Sequence, residues 1–373
     1  MVIKMPYYVR QPDGTYIEMI DDAVISSTSK ITRTNKIWFD LNSEMPRIYN
    51  PNKSRWGFLK YFMGYADFDN NSGGLWTNYI NIPISTAPEE SIQYKIEIVG
   101  DNINVYSNDG TTVLATGTGG LDFWEKVQND GSDIRVFDEI KSQNYFWIEE
   151  FDYTNQKCIV WVKLNAGQTS VNIAYDNDSC SVSDFNNGDM TFEFFDDFKD
   201  GVIDTNKWAT VSGTWEESNG VLKTTTPDGI IESVNTIPDS YRLSTKFLAT
   251  GGETYKGCFI FNWVDSSNFE RYGYAQASSY IGVRQTIAGT VTGNNQSYNF
   301  SDNTLYEVYA AKNGGYLEHT VNGTTISNTF SNILTNCKLR IRSVEWYVRW
   351  YLIIIWKFLS TDLSFGTPAI NTF

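Results

Sequence analysis

Histidine is nearly absent from this chain of 373 residues. The one copy, His319, excludes a multi-histidine metal site and leaves little of the side chain that most often moves protons near neutral pH. Basic residues are also scarce. Lysine and arginine number 29 against 44 aspartates and glutamates, and the resulting charge of −15 repels a phosphate backbone, so nucleic acid is not an expected partner. Four cysteines, Cys158, Cys180, Cys258 and Cys337, lie far apart and form no C-x-x-C pair, which removes zinc knuckles and thioredoxin-type sites. Two disulfides and four buried thiols both stay open. No apolar run approaches the roughly 20 residues that cross a bilayer. The best, Trp350 to Trp356, is flanked by Arg349 and Lys357 and reads as a buried strand. The first residues, Met1 to Tyr8, lack the pattern of a secretory signal, so the chain is expected either to be already processed or to leave its cell by another route.

Aromatic residues, in contrast, are abundant: 23 Tyr, 22 Phe and 12 Trp, a composition that favours strands. Turn steps recur at Asp13-Gly14, Asp109-Gly110, Asp130-Gly131, Asn187-Gly188, Asn219-Gly220, Asp228-Gly229 and Asn322-Gly323, and apolar residues alternate between them. Stretches such as Tyr94-Lys-Ile-Glu-Ile-Val, Cys158-Ile-Val-Trp-Val-Lys-Leu and Lys338-Leu-Arg-Ile-Arg have period two, and no segment keeps a 3.6-residue stripe for three turns. The expected fold is all-β, a tandem of antiparallel β-sandwiches. Its blocks are an irregular N-terminal segment (1–72) ending in the linker-like Asp67-Phe-Asp-Asn-Asn-Ser-Gly-Gly, a first sandwich (73–190), a second (191–360) and a polar tail (361–373).

The first sandwich carries Trp76-Thr-Asn-Tyr-Ile-Asn-Ile-Pro-Ile, Asn129-Asp-Gly-Ser-Asp-Ile-Arg-Val-Phe-Asp, Tyr145-Phe-Trp-Ile-Glu-Glu-Phe-Asp, Ile159-Val-Trp-Val-Lys-Leu and Ile173-Ala-Tyr-Asp-Asn, and runs into Phe192-Glu-Phe-Phe-Asp-Asp-Phe. In that order these motifs resemble the family called domain of unknown function 2341, over about residues 73–198. The resemblance implies a prokaryotic or viral surface protein and carries no catalytic residue with it. Tyr175-Asp-Asn departs from the family's Tyr-Gly-Asn. In the second block Phe195-Asp-Asp-Phe, Asn206-Lys-Trp, Ser218-Asn-Gly-Val-Leu, Gly257-Cys-Phe-Ile-Phe, Ser267-Asn-Phe-Glu-Arg-Tyr and His319-Thr-Val-Asn-Gly-Thr together resemble a concanavalin-like jelly roll of the laminin-G type. The opening Tyr7-Tyr-Val-Arg-Gln-Pro-Asp-Gly-Thr-Tyr-Ile-Glu is similar to the leader strands of phage tail-associated proteins.

Jelly rolls of this kind include glycoside hydrolases, which the resemblance implies would show two glutamates and an aspartate on one face of a strand. No Glu-x-Asp-x-x-Glu occurs. Glu149-Glu150 and Glu216-Glu217 are adjacent, so in strands their side chains point apart, and both pairs are expected at a solvated edge or turn. No catalytic residue and no enzyme activity are therefore expected. Asp196 and Asp197 lie where related sandwiches hold a structural calcium, the one cofactor to consider, although hydrogen bonding to backbone is the preferred reading. Asp133 and Arg135, two apart, suit a buried ion pair. His319 reads as an exposed strand residue. Trp263, Tyr272, Tyr274, Tyr280 and Arg284 come from three successive strands and form the candidate glycan-binding set, because rings stack on sugars and guanidinium groups bind acidic ones.

The function expected from these features is a non-enzymatic virion surface protein of a prokaryotic virus, a tail, spike or turret component. Residues 1–72 would join it to other virion proteins, and a homo-oligomer would present jelly rolls to a host-surface glycan at the virion surface or outside the cell. A processed cell-surface or S-layer-associated adhesin is the second reading. A secreted glycoside hydrolase is the third.

Overall fold

The computed structural model describes the backbone of residues 2–3, 8–10, 16–18, 23–26, 37–40, 45–50, 55–58, 76–249, 257–275, 280–301, 303–344 and 348–373. Side chains are described for 76–248, 259–273, 280–301, 303–344 and 348–373. Ahead of the first sandwich lie β1 (Val2–Ile3), β2 (Tyr8–Arg10), β3 (Tyr16–Glu18), β4 (Ala23–Ser26), β5 (Ile37–Asp40), β6 (Met45–Asn50) and β7 (Arg55–Phe58). β2 and β3 form a hairpin, and the others form a sheet in the order β1-β4-β5-β6-β7. The described residues of this N-terminal segment all lie in these short strands. The linker-like run 67–74 falls outside the described residues.

The first sandwich comprises β8 (Asn78–Pro83), β9 (Ile92–Val99), β10 (Asn102–Tyr106), β11 (Val113–Thr118), a short helix α1 (Gly120–Lys126), β12 (Arg135–Phe137), β13 (Phe146–Asp152), β14 (Lys157–Leu164) and β15 (Ser170–Tyr175). One sheet runs β11-β10-β9-β14-β13 and the other includes β12-β15-β8. Period-two alternation places Tyr94, Ile96 and Ile98 of β9 and Val160, Val162 and Leu164 of β14 in the common core, leaving Ile159 and Trp161 on the opposite face. Asp176, where the resembling family has glycine, sits at φ 71. Aspartate tolerates this left-handed position, so the turn survives the substitution. Asp133 and Arg135 find different partners in this sandwich. The Asp133 carboxylate accepts the N–H groups of Gln128, Asp176 and Asn177, while Arg135 donates to the carbonyls of Ser132, Ile134 and Ser181.

Asn187-Gly188 is not a hairpin turn. Asn187 caps the helix α2 (Gly188–Thr191), its Oδ1 accepting the N–H of Met190 at 3.1 Å, and this single helical turn leads directly into the first strand of the second sandwich. The second sandwich comprises β16 (Phe194–Asp196), β17 (Trp208–Ser212), β18 (Trp215–Glu217), β19 (Leu222–Thr224), β20 (Gly229–Thr236), β21 (Tyr241–Ala249), β22 (Gly257–Asp265) and β23 (Asn268–Ala275). It continues with β24 (Tyr280–Ile287), β25 (Thr290–Ser297), β26 (Thr304–Asn313), β27 (Tyr316–Val321), β28 (Thr324–Thr329), β29 (Lys338–Ser343) and β30 (Val348–Lys357). Its sheets run β18-β19-β30-β21-β26-β27-β28, with β16 also on β30, and β17-β20-β29-β22-β23-β24-β25. Asn219-Gly220 (φ 55 and 71) and Asn322-Gly323 (φ 42 and 80) supply the paired positive φ values of tight hairpin turns.

The apolar run Trp350 to Trp356 is β30, a strand covered on both faces. Trp350, Ile353 and Ile355 enter the jelly-roll core, and a register shift at Tyr351 turns Leu352, Ile354 and Trp356 outward against Trp147 and Trp161 of the first sandwich. Trp161 and Trp356 meet at 4.9 Å between ring centres, and the indole N–H of Trp356 donates to the carbonyl of Asn108 at 2.7 Å. The outer face of the β30 sheet is therefore spent on joining the sandwiches. The residues expected to be a polar tail are structural as well. Residues 361–373 return to the first sandwich, where β31 (Ala369–Thr372) pairs with β8 as a fourth strand and Leu363, Phe365 and Ile370 pack on the core. No described helix is long and apolar enough to cross a membrane.

Between the two jelly-roll sheets, Lys312 of β26 and Glu270 of β23 form an ion pair of 2.5 Å with essentially no exposure. The second carboxylate oxygen accepts from Gln285 at 3.1 Å, and Asn262 donates to the first at 2.8 Å. His319, expected at the surface, lies in the same interior between the inward-facing Leu317 and Val321. Burial pushes its pKa down to about 3, so it stays neutral. Cys158, Cys180 and Cys337 are buried free thiols.

Two outcomes follow from this packing. Removing residues 361–373 makes β8 an edge strand and strips apolar contacts from the core. It should lower the melting temperature by several degrees and speed amide exchange in 78–83, and unchanged exchange there would mean that β31 contributes nothing. Lys312→Met strands a buried carboxylate and should destabilise by about 3–5 kcal/mol in denaturant unfolding. The double variant Lys312→Met/Glu270→Leu should recover much of that loss.

Candidate functional site

The first sandwich covers the β30 region of one jelly-roll sheet, and the outer face of the β17-β20-β29-β22-β23-β24-β25 sheet is a broad surface to which no described residue of that sandwich packs. Strand alternation decides what it displays. In β22, Ile260 faces the core while Phe259, Phe261 and Trp263 face outward and belong to none of the core clusters. In β29, Leu339 and Ile341 point in, and Lys338, Arg340 and Arg342 point out. β24 sends Ile281 and Val283 inward and puts Tyr280 and Arg284 on the outer side.

Register assembles these side chains into cross-strand rows. One row runs Arg284, Arg271, Phe261, Arg340, Glu232, and a second runs Thr286, Phe269, Trp263, Lys338. Trp263 and Phe269 stack at 5.2 Å with planes 19° apart, and Phe261 meets Phe269 edge-on at 5.7 Å. The guanidinium of Arg340 lies 3.6 Å from the centre of the Trp263 ring, that of Arg271 5.3 Å from Phe259 and that of Arg284 5.5 Å from Tyr280. Gly273 leaves room for the Phe259 ring, which a Cβ there would meet at 3.1 Å. Phe259 and Phe261 are themselves buried, at 9% and 6% exposure, so the partly accessible groups of the face are the rings of Trp263, Phe269 and Tyr280 and the guanidinium groups beside them, which can meet sugar rings and hydroxyl or anionic substituents.

Of the expected glycan-binding set, Trp263, Tyr280 and Arg284 lie on this face. Trp263 aligns with Thr286, six residues along β24 from Tyr280, so the set extends about 20 Å along the strands and forms a surface, not a pocket. Tyr272 does not take part. It is fully buried, its hydroxyl against Tyr241 and the carbonyl of Ala311, because it has the inward parity of β23. The Tyr274 side chain lies outside the described residues. Phe259, Phe261, Phe269, Arg271, Arg340 and Arg342 were not anticipated. Their signal was the alternation in Phe259-Ile-Phe-Asn-Trp and in Lys338-Leu-Arg-Ile-Arg.

The carboxylates singled out earlier are placed differently. Asp196 is buried, accepting the N–H of Phe198 at 3.0 Å and of the Trp208 indole at 2.8 Å, and Asp197 pairs with Lys199 at 3.2 Å. Donors already face both oxygens of Asp196, so calcium does not fit this pair, and no described group of three His, Cys, Asp or Glu could hold a metal. Glu150 and Glu216 make surface ion pairs with Lys157 and Lys223. Glu149 and Glu217 are not solvated as expected. Glu149 accepts from the Trp161 indole at 2.9 Å, and Glu217 is 7% exposed. Burial, a hydrogen bond to Asp200 and the charges of Asp196 and Asp200 raise the Glu217 pKa to about 8, so it is the protonated partner of Asp200 at neutral pH.

The strand order defines the second sandwich as a concanavalin-like jelly roll fused to a smaller antiparallel sandwich. Residues 130–211 match the family model described as a domain of unknown function, DUF2341, a stretch that begins before β12 and ends within β17. No curated protein sequence matches the chain. Among solved structures, the chain is similar to the carbohydrate-binding module CBM66 from Bacillus subtilis, at 11% identity over 44% of this chain and 98% of that one, with a TM-score of 0.34. It is also similar to the Bacillus licheniformis beta-glucanase, at 11% identity over 44% and 98% with a TM-score of 0.36. A third is the CBM2 module of the evolved Dit of Lactobacillus casei BL23 phage J-1, at 11% over 46% and 96% with a TM-score of 0.35.

Glu217 makes stability depend on pH. Its folded pKa near 8 exceeds the ordinary 4.5, so the folded state binds the extra proton between these values and stability falls as pH rises through that window. Glu217→Gln keeps a donor toward Asp200 without the ionisation. It should raise the melting temperature at pH 8 relative to pH 5, by about 2–4 °C for each kcal/mol regained. Identical pH profiles for variant and parent would show that Glu217 ionises without consequence.

Proposed function

We propose that the protein is a non-enzymatic surface component of a prokaryotic virus, whose jelly roll attaches to a host-surface glycan through the outer face of the β22–β24 region. One observation carries the glycan reading: partly accessible rings and guanidinium groups lie together on a broad jelly-roll face to which no described residue of the first sandwich packs. An extended face of this kind buries little of each sugar and binds weakly per site, so homo-oligomeric display would supply avidity. Residues 1–72 are the part assigned to joining other virion proteins. The absence of catalysis is supported by the placement of the acids. Glu217, the protonated carboxyl, sits next to Asp200, close enough for each to shift the titration of the other, whereas retaining glycosidases hold their carboxyls about 5 Å apart with the sugar bond between them.

A glycan array probed with the full-length protein tests the attachment role. Binding should appear and should fall about tenfold in Trp263→Ala or Tyr280→Ala, with the fold retained by circular dichroism. No binding, or binding indifferent to both substitutions, would leave the face structural, and release of reducing sugar would establish the hydrolase reading. Detection of the chain in purified particles supports the virion assignment. Its recovery only from cell envelopes would make it an adhesin.

A further inference from the structure

Resting on the glycan reading of the open jelly-roll face, we propose that Arg271 and Arg284 form an anion-binding pair there and that the ligand is an acidic glycan, bearing uronate carboxylates or sulfate esters.

The two arginines are directly opposed in the β23–β24 register. Like charges facing each other across a strand pair destabilise a sheet, so the arrangement is unfavourable unless something negative sits between or above them. Nothing described does. Lys338 and Arg340 share the single carboxylate of Glu232, and Arg342 pairs with Asp228, whereas no described acid pairs with Arg271 or Arg284. Among the described residues, Arg271 donates no hydrogen bond, Arg284 donates only its Nε–H, to Asn295 at 3.0 Å, and neither meets a carboxylate. Burial and the proximity of Arg284 and Arg342 hold the Arg271 pKa below its ordinary value, the mark of a cation short of counter-charge.

Position supports the same conclusion. Each guanidinium rests on a ring, Arg271 on Phe259 and Arg284 on Tyr280, which holds it in place at little entropic expense. In the adjacent row Trp263 lies between Phe269 and Arg340, so a neighbouring sugar would meet the edges of these rings. In a chain of net charge −15, a locally unbalanced positive pair is not a consequence of composition. Planar guanidinium forks match carboxylate and sulfate geometry, whereas a neutral sugar would leave their charge unmet.

The test compares polygalacturonate and dextran sulfate with uncharged dextran, using the full-length protein in biolayer interferometry at 50 and 300 mM salt. The two polyanions should bind, weakening at the higher salt, and dextran should bind at least tenfold less well. Arg271→Gln and Arg284→Gln should each lower polyanion affinity about tenfold or more, while Asp228→Asn should not. A purely structural role is separated by the melting temperature. Removing one of two opposed charges should leave it unchanged or raise it, whereas a structural arginine would lower it. Polyanion binding untouched by both substitutions overturns the inference. If uncharged glycans still bind in a Trp263-dependent way, only the acidic specificity falls, and if no glycan binds at all, the glycan reading falls with it.

Discussion

The jelly roll is held in register by a charge pair with no access to water. Glu270 and Lys312 come from opposite sheets, so their contact crosses the sandwich and fixes how one sheet lies over the other. Dispersion packing alone permits neighbouring arrangements of similar energy. A buried carboxylate does not, because losing its ammonium partner costs several kcal/mol. Asn262 and Gln285 complete the coordination of the carboxylate from two further strands, and Gln285 also donates to the carbonyl of Asn332 at 2.8 Å. The network therefore ties β22, β23, β24 and β26 together directly beneath the face that displays Phe261, Arg271 and Arg284. Inward parity at Asn262, Glu270 and Gln285 sets outward parity at their neighbours.

The second constraint is the doubly apolar strand β30. One face completes the jelly-roll core and the other makes a dry aromatic junction with Trp147 and Trp161. Polar contacts surround this junction: Arg242 donates to the Asn108 side chain at 3.1 Å, and Lys357 pairs with Glu90 at 2.6 Å. The returning C-terminal strand closes the connection covalently, since the chain leaves the first sandwich at α2 and re-enters it at β31. Two sandwiches bound at both ends and along one face behave as one body. Such a body would hold the proposed glycan-binding face at a set orientation, which suits multivalent display better than a hinged pair would.

Much of this architecture was legible in the sequence. Period-two alternation and Asn-Gly steps located strands and hairpins, and the flanked apolar run announced a strand buried on both sides. What alternation leaves open is which of its two faces meets solvent. Tyr272 and Trp263 are aromatic residues on neighbouring strands with the same local composition, yet one lies beside the Glu270 network and the other under Arg340. Only the pairing of distant strands separates them. His319 was misplaced for the same reason, since its polar neighbours Glu318 and Thr320 belong to the opposite face of β27. The tail was misread because four residues at an edge carry almost no pattern of their own. Its partner, β8, lies nearly 300 positions earlier in the chain.

Electrostatics links the whole molecule to the open face. A chain carrying −15 repels a distant polyanion, so long-range attraction cannot be what brings an acidic glycan to Arg271 and Arg284. At physiological ionic strength the general field is screened beyond about 8 Å, and within that distance the unneutralised guanidinium pair dominates. On the proposed reading, recognition would be confined to contact range, where the opposed arginines would meet the negative groups of the ligand. Glu232 and Asp228 offset two of the three outward cations on β29, so the guanidinium groups without a described carboxylate partner are those of Arg271 and Arg284 on the β23–β24 pair.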